Sequence, residues 1–317
     1  MHDYKQIDMS KVQTYSIKTR DNKVNVKDHF ASPVKLGQTF SGFLDQLPGV
    51  LGAETIKSIV ESVVKSHRNG RPVIAAIGGH VIKCGLQPVL KSLIEAGVIS
   101  AVAMNGSAAI HDYEVSLAGA TSEDVGAVLH SGDFGFSDET GGGINTALKQ
   151  AEPTGVGFGE AVGRAIINNK HPYSEYSLLA ACAEADIPCT VHVAVGTDII
   201  HQHPTMDGAV TGEMSYRDFR LLTSVVADLS GGAWLNIGSA VIMPEVFLKA
   251  LSIAQNLGHH VEDFTTANFD MIRHYRTQQN VVSRPVSGQG KGYNLIGHHE
   301  INIPLFAQAV IESLATG

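Results

Sequence analysis

Three times along this chain an unbroken apolar run ends in very small residues and gives way to helical spacing, and this repeat limits the possible folds more than any other feature. Residues 72–77 close on Gly78-Gly79-His80, residues 98–104 on Asn105-Gly106-Ser107, and residues 233–237 on Gly238-Ser239-Ala240. A run that is apolar at every position has no face for solvent, so it predicts a strand covered on both sides, as in a parallel sheet. After the first run Leu86, Val89, Leu90, Leu93 and Ile94 recur at helical spacing, and after the second Ile110, Tyr113 and Leu117 do the same. Pro244 suits the first turn of a helix reaching Leu257-Gly258, and Ile56, Ile59, Val60, Val63 and Val64 predict a helix ahead of the first strand. Further helices are expected over 176–185 and through Phe219, Leu222, Val225, Val226 and Leu229. Strands are expected over 189–195 and 261–266, and a last helix over 303–314. The alternation predicts an α/β protein with helices on both faces of a mostly parallel sheet.

Residues 1–50 are polar and irregular and read as an arm, of the kind that reaches a neighbouring subunit; residues 51–317 read as one domain. Residues 129–159 are rich in Gly, Ser and Asp, include Gly141-Gly142-Gly143, and predict a long mobile connection with little core. The net charge of -8 is spread without runs of either sign, which argues against nucleic acid and anionic lipid as partners. No stretch approaches the roughly 20 apolar residues of a membrane span, and the first residues lack the apolar segment of a secretion signal, so a cytoplasmic protein is expected. Cys84, Cys182 and Cys189 have no CxxC spacing and read as thiols, not disulfides.

In an open parallel sheet, ligands sit beyond the carboxyl ends of the strands. The turns after the three apolar runs carry residues small enough for a phosphate or ribose to approach the backbone: Gly78, Gly79, Asn105, Gly106, Ser107, Gly238 and Ser239. None forms a GxGxxG motif. Each also reads, without any ligand, as a tight strand-to-helix turn. His111, Asp112 and Glu114 follow within one helical turn; a histidine beside carboxylates can carry a proton near neutral pH, and Asp112 can meet ribose hydroxyls. The same residues also suit a solvated helix start. Lys291, between Gly290 and Gly292, is a candidate for imine formation. The pairs His201/His203, His259/His260 and His298/His299 raise a metal-hydrolase alternative, but no HExxH or Cys/His quartet appears and no metal is expected.

Taken in order, the Gly-Gly turn leading to Gly85, Asn105-Gly106 with Asp112-Tyr113, Ile187-Pro188, Gly238-Ser239-Ala240, Thr266-Ala267 with Phe269-Asp270, Arg284-Pro285 and Gly297 through Pro304-Leu305 resemble the deoxyhypusine synthase family. The resemblance implies a Rossmann-like sheet, a homotetramer, the cofactor NAD, and oxidation of a polyamine to an imine whose carbon chain is transferred. It implies NAD contacts from Gly78, Gly79, His80, Asn105, Gly106, Gly238, Thr266 and Ala267, and places Asp198 near a substrate amine. Where the family carries Lys-His-His, this chain has Met243-Pro244-Glu245, which leaves a silent NAD-binding protein as another reading. Residues 105–121 are also similar to the C-terminal domain of archaeal-type ornithine cyclodeaminases. Both resemblances imply hydride transfer from an amine-bearing carbon to NAD.

Overall fold

The computed structural model describes residues 3–315. In chain order the principal elements are α1 (Leu51–Arg68), β1 (Val73–Ile77), α2 (Gly79–Lys83), α3 (Gln87–Glu95), β2 (Ala101–Asn105) and α4 (Gly106–Ala118). There follow α5 (Gly143–Ala151), α6 (Phe158–Asn168), α7 (Leu178–Glu184), β3 (Cys189–His192), α8 (Gly208–Ala227) and β4 (Ala233–Ile237). The last are α9 (Ile242–Asn256), β5 (Phe264–Asp270), β6 (Gly290–Ile296) and α10 (His299–Ala315). The six strands are parallel throughout and lie in the order β3-β2-β1-β4-β5-β6. This is the doubly wound, Rossmann-like order, in which the connections reverse direction between β1 and β4 and leave a crevice at the carboxyl ends of those two strands.

The apolar continuity of the central strands has the expected cause. Along β1, Val73, Ala75 and Ile77 join one core while Ile74 and Ala76 join the other, because successive side chains point to opposite faces. The first core packs α1 to α7, α10 and the beginning of α8 against the sheet; the second packs the rest of α8 and α9. On the second face the Trp234 and Phe247 rings stack with centroids 4.1 Å apart, and Phe264 meets Phe247 edge-on at 6.3 Å. Residues 3–39 contain only short helical turns and stay largely exposed, with Ile7, Met9 and Tyr15 among the apolar side chains facing out.

Four sequence expectations are corrected. Residues 129–159 are not coreless: α5 buries Ile144 and Leu148, and Phe158 at the start of α6 is fully buried. The strand expected over 261–266 runs instead over Phe264–Asp270, and β3 stops at His192. A sixth strand, β6, occupies what reads in the sequence as a glycine loop. Polar residues inside β5 and β6 are accommodated by a ladder across the sheet. Asn236 Nδ2 donates to Asn268 Oδ1 at 2.8 Å, Asn268 Nδ2 to Asn294 Oδ1 at 3.0 Å, and Asn294 Nδ2 to Gln278 Oε1 at 2.6 Å. The three asparagines are register partners, so each amide meets the next without leaving the sheet.

Candidate active site

Every strand points the same way, so the residues after each strand share one edge of the sheet. At its centre is the turn after β1. A Cβ on Gly78 would overlap the carbonyl of Gly238, which is why the turns after β1 and β4 can lie in contact at the crevice. A Cβ on Gly79 would overlap Ser107 Oγ and stand 3.1 Å from His111 Cδ2. Ser107 and His111 therefore flank the β1 turn on one side. On the other, His299 Nε2 lies 2.9 Å from a Cβ position on Gly238, and the His299 and His80 ring centroids are 6.0 Å apart. No side chain caps the start of α2, so the first N–H groups after Gly78 have no intrahelical partner.

His111 sits in a hydrogen-bonded chain. Its Nδ1 is 2.6 Å from Thr121 Oγ1, and that hydroxyl donates to Glu114 Oε2, while Thr140 donates to Glu114 Oε1 at 3.1 Å. Burial would raise the Glu114 pKa, but the nearby His111 ring, 3.6 Å away, and the bonds from Thr121 and Thr140 outweigh it and hold the carboxyl below its ordinary value. Thr121 reaches His111 because Gly119 ends α4 in the left-handed region, φ 66°, and turns the chain back along the helix. Thr140 comes from a π-helical turn, Asp138–Gly142, just before α5.

Beyond β3, Asp198 lies against the start of α4, its carboxylate packed on Gly106. Oδ2 is buried without a hydrogen-bond partner, and burial pushes the Asp198 pKa up to about 6. His201 Nδ1 accepts from the backbone N–H of Gly196 at 3.2 Å and of Asp198 at 3.4 Å. The ring is therefore neutral, with its proton on Nε2, a donor that is buried and unpartnered. Burial also lowers the His201 and His299 pKa values, and His299 Nδ1 is likewise buried without a partner.

Several sequence-predicted residues are placed elsewhere or are engaged in holding the fold. Lys291 pairs with Thr265 near the beginning of β5 and is exposed at the amino end of the sheet, so it is removed as an imine-forming candidate. Thr266 and Ala267 lie in the interior of β5; the Thr266 hydroxyl donates to Val281 O at 2.7 Å, and neither residue reaches the carboxyl edge. Asp112 is fully buried and accepts from Ser177 Oγ at 2.6 Å and from the N–H groups of Leu178 at 2.8 Å and Leu179 at 3.0 Å. It caps α7 and has no oxygen left for a ribose; burial, opposed by these bonds, raises its pKa to about 6. Asn105 Oδ1 caps α4 by accepting from Ala108 N, and Ser239 Oγ accepts from Met243 N at the start of α9. His201 closes a 3-10 turn, not a strand, so it and His203 do not share a strand face. Among the described residues no group of three His, Cys, Asp or Glu side chains is placed to hold a metal ion. Of the residues at this edge, Thr140 carries no sequence signal, His299 is visible only as half of a histidine pair, and Thr121 only as the end of the 105–121 block similar to the ornithine cyclodeaminases.

No family model matches the chain, and no curated protein matches it by sequence. Solved structures do. ArgZ, an arginine dihydrolase from the ornithine–ammonia cycle in cyanobacteria, superposes over 83% of this chain with a TM-score of 0.52 and 12% identity. This chain spans only 33% of ArgZ. A conserved LOR/SDH protein from Methanococcus maripaludis S2 matches over 83% of this chain and 71% of its own, with a TM-score of 0.50 and 16% identity. A protein from Entamoeba histolytica named as a deoxyhypusine synthase aligns over 87% of this chain and 94% of its own at 9% identity, with a TM-score of 0.49 that adds nothing to the fold assignment. These likenesses establish a shared Rossmann-like fold. Among the described residues no helix is long and apolar enough to cross a membrane.

Proposed function

We propose that this chain is an enzyme that binds NAD along the carboxyl edge of its sheet and uses it to oxidise the amine-bearing carbon of a small substrate, with His111 moving the proton. The observation that carries this reading is the placement of a free-ended histidine, held by Thr121, directly beside the uncapped β1 turn at the crevice of a doubly wound sheet. Unpartnered polar atoms at the same edge fit a polar ligand. Asp198 Oδ2, His201 Nε2 and His299 Nδ1 are each buried without a partner, a condition that costs about 1–3 kcal/mol per group unless something else satisfies it.

When bound, the nicotinamide supplies the hydride acceptor. The chain supplies the rest. The N–H groups of Gly79 and His80 at the open start of α2 suit a phosphate, and the Ser107 hydroxyl and His299 lie on either side of that turn. The raised pKa of Asp198, about 6, still lies below neutral pH, and a substrate ammonium would meet its buried Oδ2, which has no hydrogen-bond partner. His111, hydrogen-bonded through Nδ1, presents Nε2 to take or return the amine proton. Removing Lys291 from the edge means that the imine is not held by that lysine, which favours release or cyclisation over transfer through it.

The amine class rests on the carboxylates at this edge and on ArgZ, whose name assigns it arginine. Glu114, Glu123 and Glu139 line one cavity with Thr121 and Thr140, and no basic side chain lines it. We also propose assembly as a homo-oligomer through the exposed arm, with a tetramer implied by the family resemblance; light scattering of the purified chain tests it.

The deciding experiment is thermal unfolding with and without NAD. Saturation at 100 times the dissociation constant adds about 2.7 kcal/mol. Nicotinamide absorbance with ornithine, putrescine and spermidine then identifies the substrate. No stabilisation at millimolar NAD sinks the reading.

A further inference from the structure

The bond between His111 and Thr121 has a direction. A threonine hydroxyl carries one proton, and that of Thr121 goes to Glu114 Oε2. Glu114 stays a carboxylate because its pKa is held below the ordinary value, with Thr140 Oγ1, which is also 3.1 Å from Ser137 Oγ, lying 3.1 Å from Oε1. Thr121 Oγ1 can therefore only accept from His111, and the neutral ring must carry its proton on Nδ1. Cδ2, on the opposite edge of the ring from Nδ1, is the atom that faces Gly79. Nε2 is bonded to Cδ2, so its lone pair leaves the ring from the position next to the atom that faces Gly79. His111 and Glu114 are only 14% and 19% exposed, so water competes poorly for these bonds.

We infer that Thr121 is a positioning residue that fixes His111 in the Nδ1–H form, and that Thr140 holds the far end of the same chain by anchoring Glu114. A histidine in that form carries an acceptor, not a donor, at Nε2. When Nε2 takes a proton, the ring becomes an imidazolium whose charge faces Glu114 across Thr121. The threonine keeps its own proton, so no atom is gained or lost within the chain. Both threonines belong to the connection between α4 and α5, which ties the placement of that connection to the proton-carrying form of His111.

The inference rests on His111 as the proton carrier of the proposed reaction, yet it is testable without cofactor or substrate. Ring 15N shifts of the full-length chain, with His111 assigned by its loss in His111→Gln, report which nitrogen bears the proton in the neutral form. The expected spectrum has a protonated Nδ1 and an unprotonated Nε2. Thr121→Val is expected to move the proton to Nε2, and Thr121→Ser to restore the wild-type pattern. A wild-type ring already protonated on Nε2 overturns the inference, whether or not any variant folds. So does a folded Thr121→Val chain that keeps Nδ1–H. If NAD fails to bind while the Nδ1–H form is seen, the proposed function fails and the positioning role stands.

Discussion

The carboxylate of Asp198 rests on the Cα of Gly106, so close that a methyl group there would overlap Oδ2. Gly106 begins α4, and alanine is by propensity the better helix residue by about 1 kcal/mol. Gly106→Ala should nonetheless destabilise the protein by about 1–3 kcal/mol, because the overlap forces the carboxylate out of its site. In an Asp198→Ala background the obstruction is gone, and the same change should become neutral or stabilising. Chemical denaturation of the four proteins in this cycle checks the point; equal costs in both backgrounds would contradict the packing described.

Asp218, on α8, accepts from Val191 N at 2.7 Å and Gly159 N at 2.9 Å, while its other oxygen is buried without a partner. Burial, opposed by those bonds, pushes its pKa up to about 7. A carboxyl whose folded pKa lies above its unfolded value of 3.8 is penalised only when ionised, so its contribution to stability is greatest in acid and falls as pH rises from about 4 to about 7. Asp218→Asn removes that penalty and keeps an oxygen for the two N–H groups. Relative to wild type, the variant should gain stability steadily over that window, by a few kcal/mol in all, and hold the gain at higher pH. Urea unfolding at pH 5 and pH 8 measures it, and a difference independent of pH would refute it.

Lys291 and His111 make opposite predictions for the same assay. Lys291→Ala lies at the exposed amino end of β6 and should change stability by less than about 0.5 kcal/mol, with no effect on NAD binding or turnover. His111→Gln should leave the fold intact and reduce turnover by roughly 10²–10⁴-fold. Loss of activity in the lysine variant would return the imine to that side chain.

Asn268 is the middle rung of the amide ladder and is fully buried. Asn268→Ala leaves Asn294 Oδ1 without its donor, removes an acceptor from Asn236 and opens a small cavity. We expect a loss of about 2–4 kcal/mol, with the carboxyl ends of β4, β5 and β6 exchanging amide hydrogens faster than those of β1 and β2. Uniform exchange across all the strands would mean that the ladder does not hold that half of the sheet together.

The parts of this protein that were legible in sequence are those whose cause is local. β1, β2 and β4 announce themselves because a strand buried on both faces must be apolar at every position, and their turns because only small residues permit Gly78 and Gly238 to touch. β6 does not, since Gly290–Ile296 is an edge strand with a mixed face whose polar residue Asn294 is satisfied only by Asn268 and Gln278 from elsewhere in the chain. The same limit explains why Thr266 and Ala267 were expected at the carboxyl edge: their strand continues four residues further, to Asp270, through an asparagine that looks like a stop.

By itself, then, the sequence determined the class of fold and the small-residue turns that share one edge of the sheet, because burial periodicity and the steric demands of a turn are properties of neighbouring residues. Which side chains at that edge are free to act was decided by tertiary contacts alone. Asp112 and His111 are adjacent on one helix, yet one is consumed by the N–H groups of α7 and the other is held by Thr121 with a nitrogen to spare. Nothing in their spacing distinguishes them. A hydrogen bond is spent or available according to what folds against it, and here those partners lie ten to sixty-seven residues away.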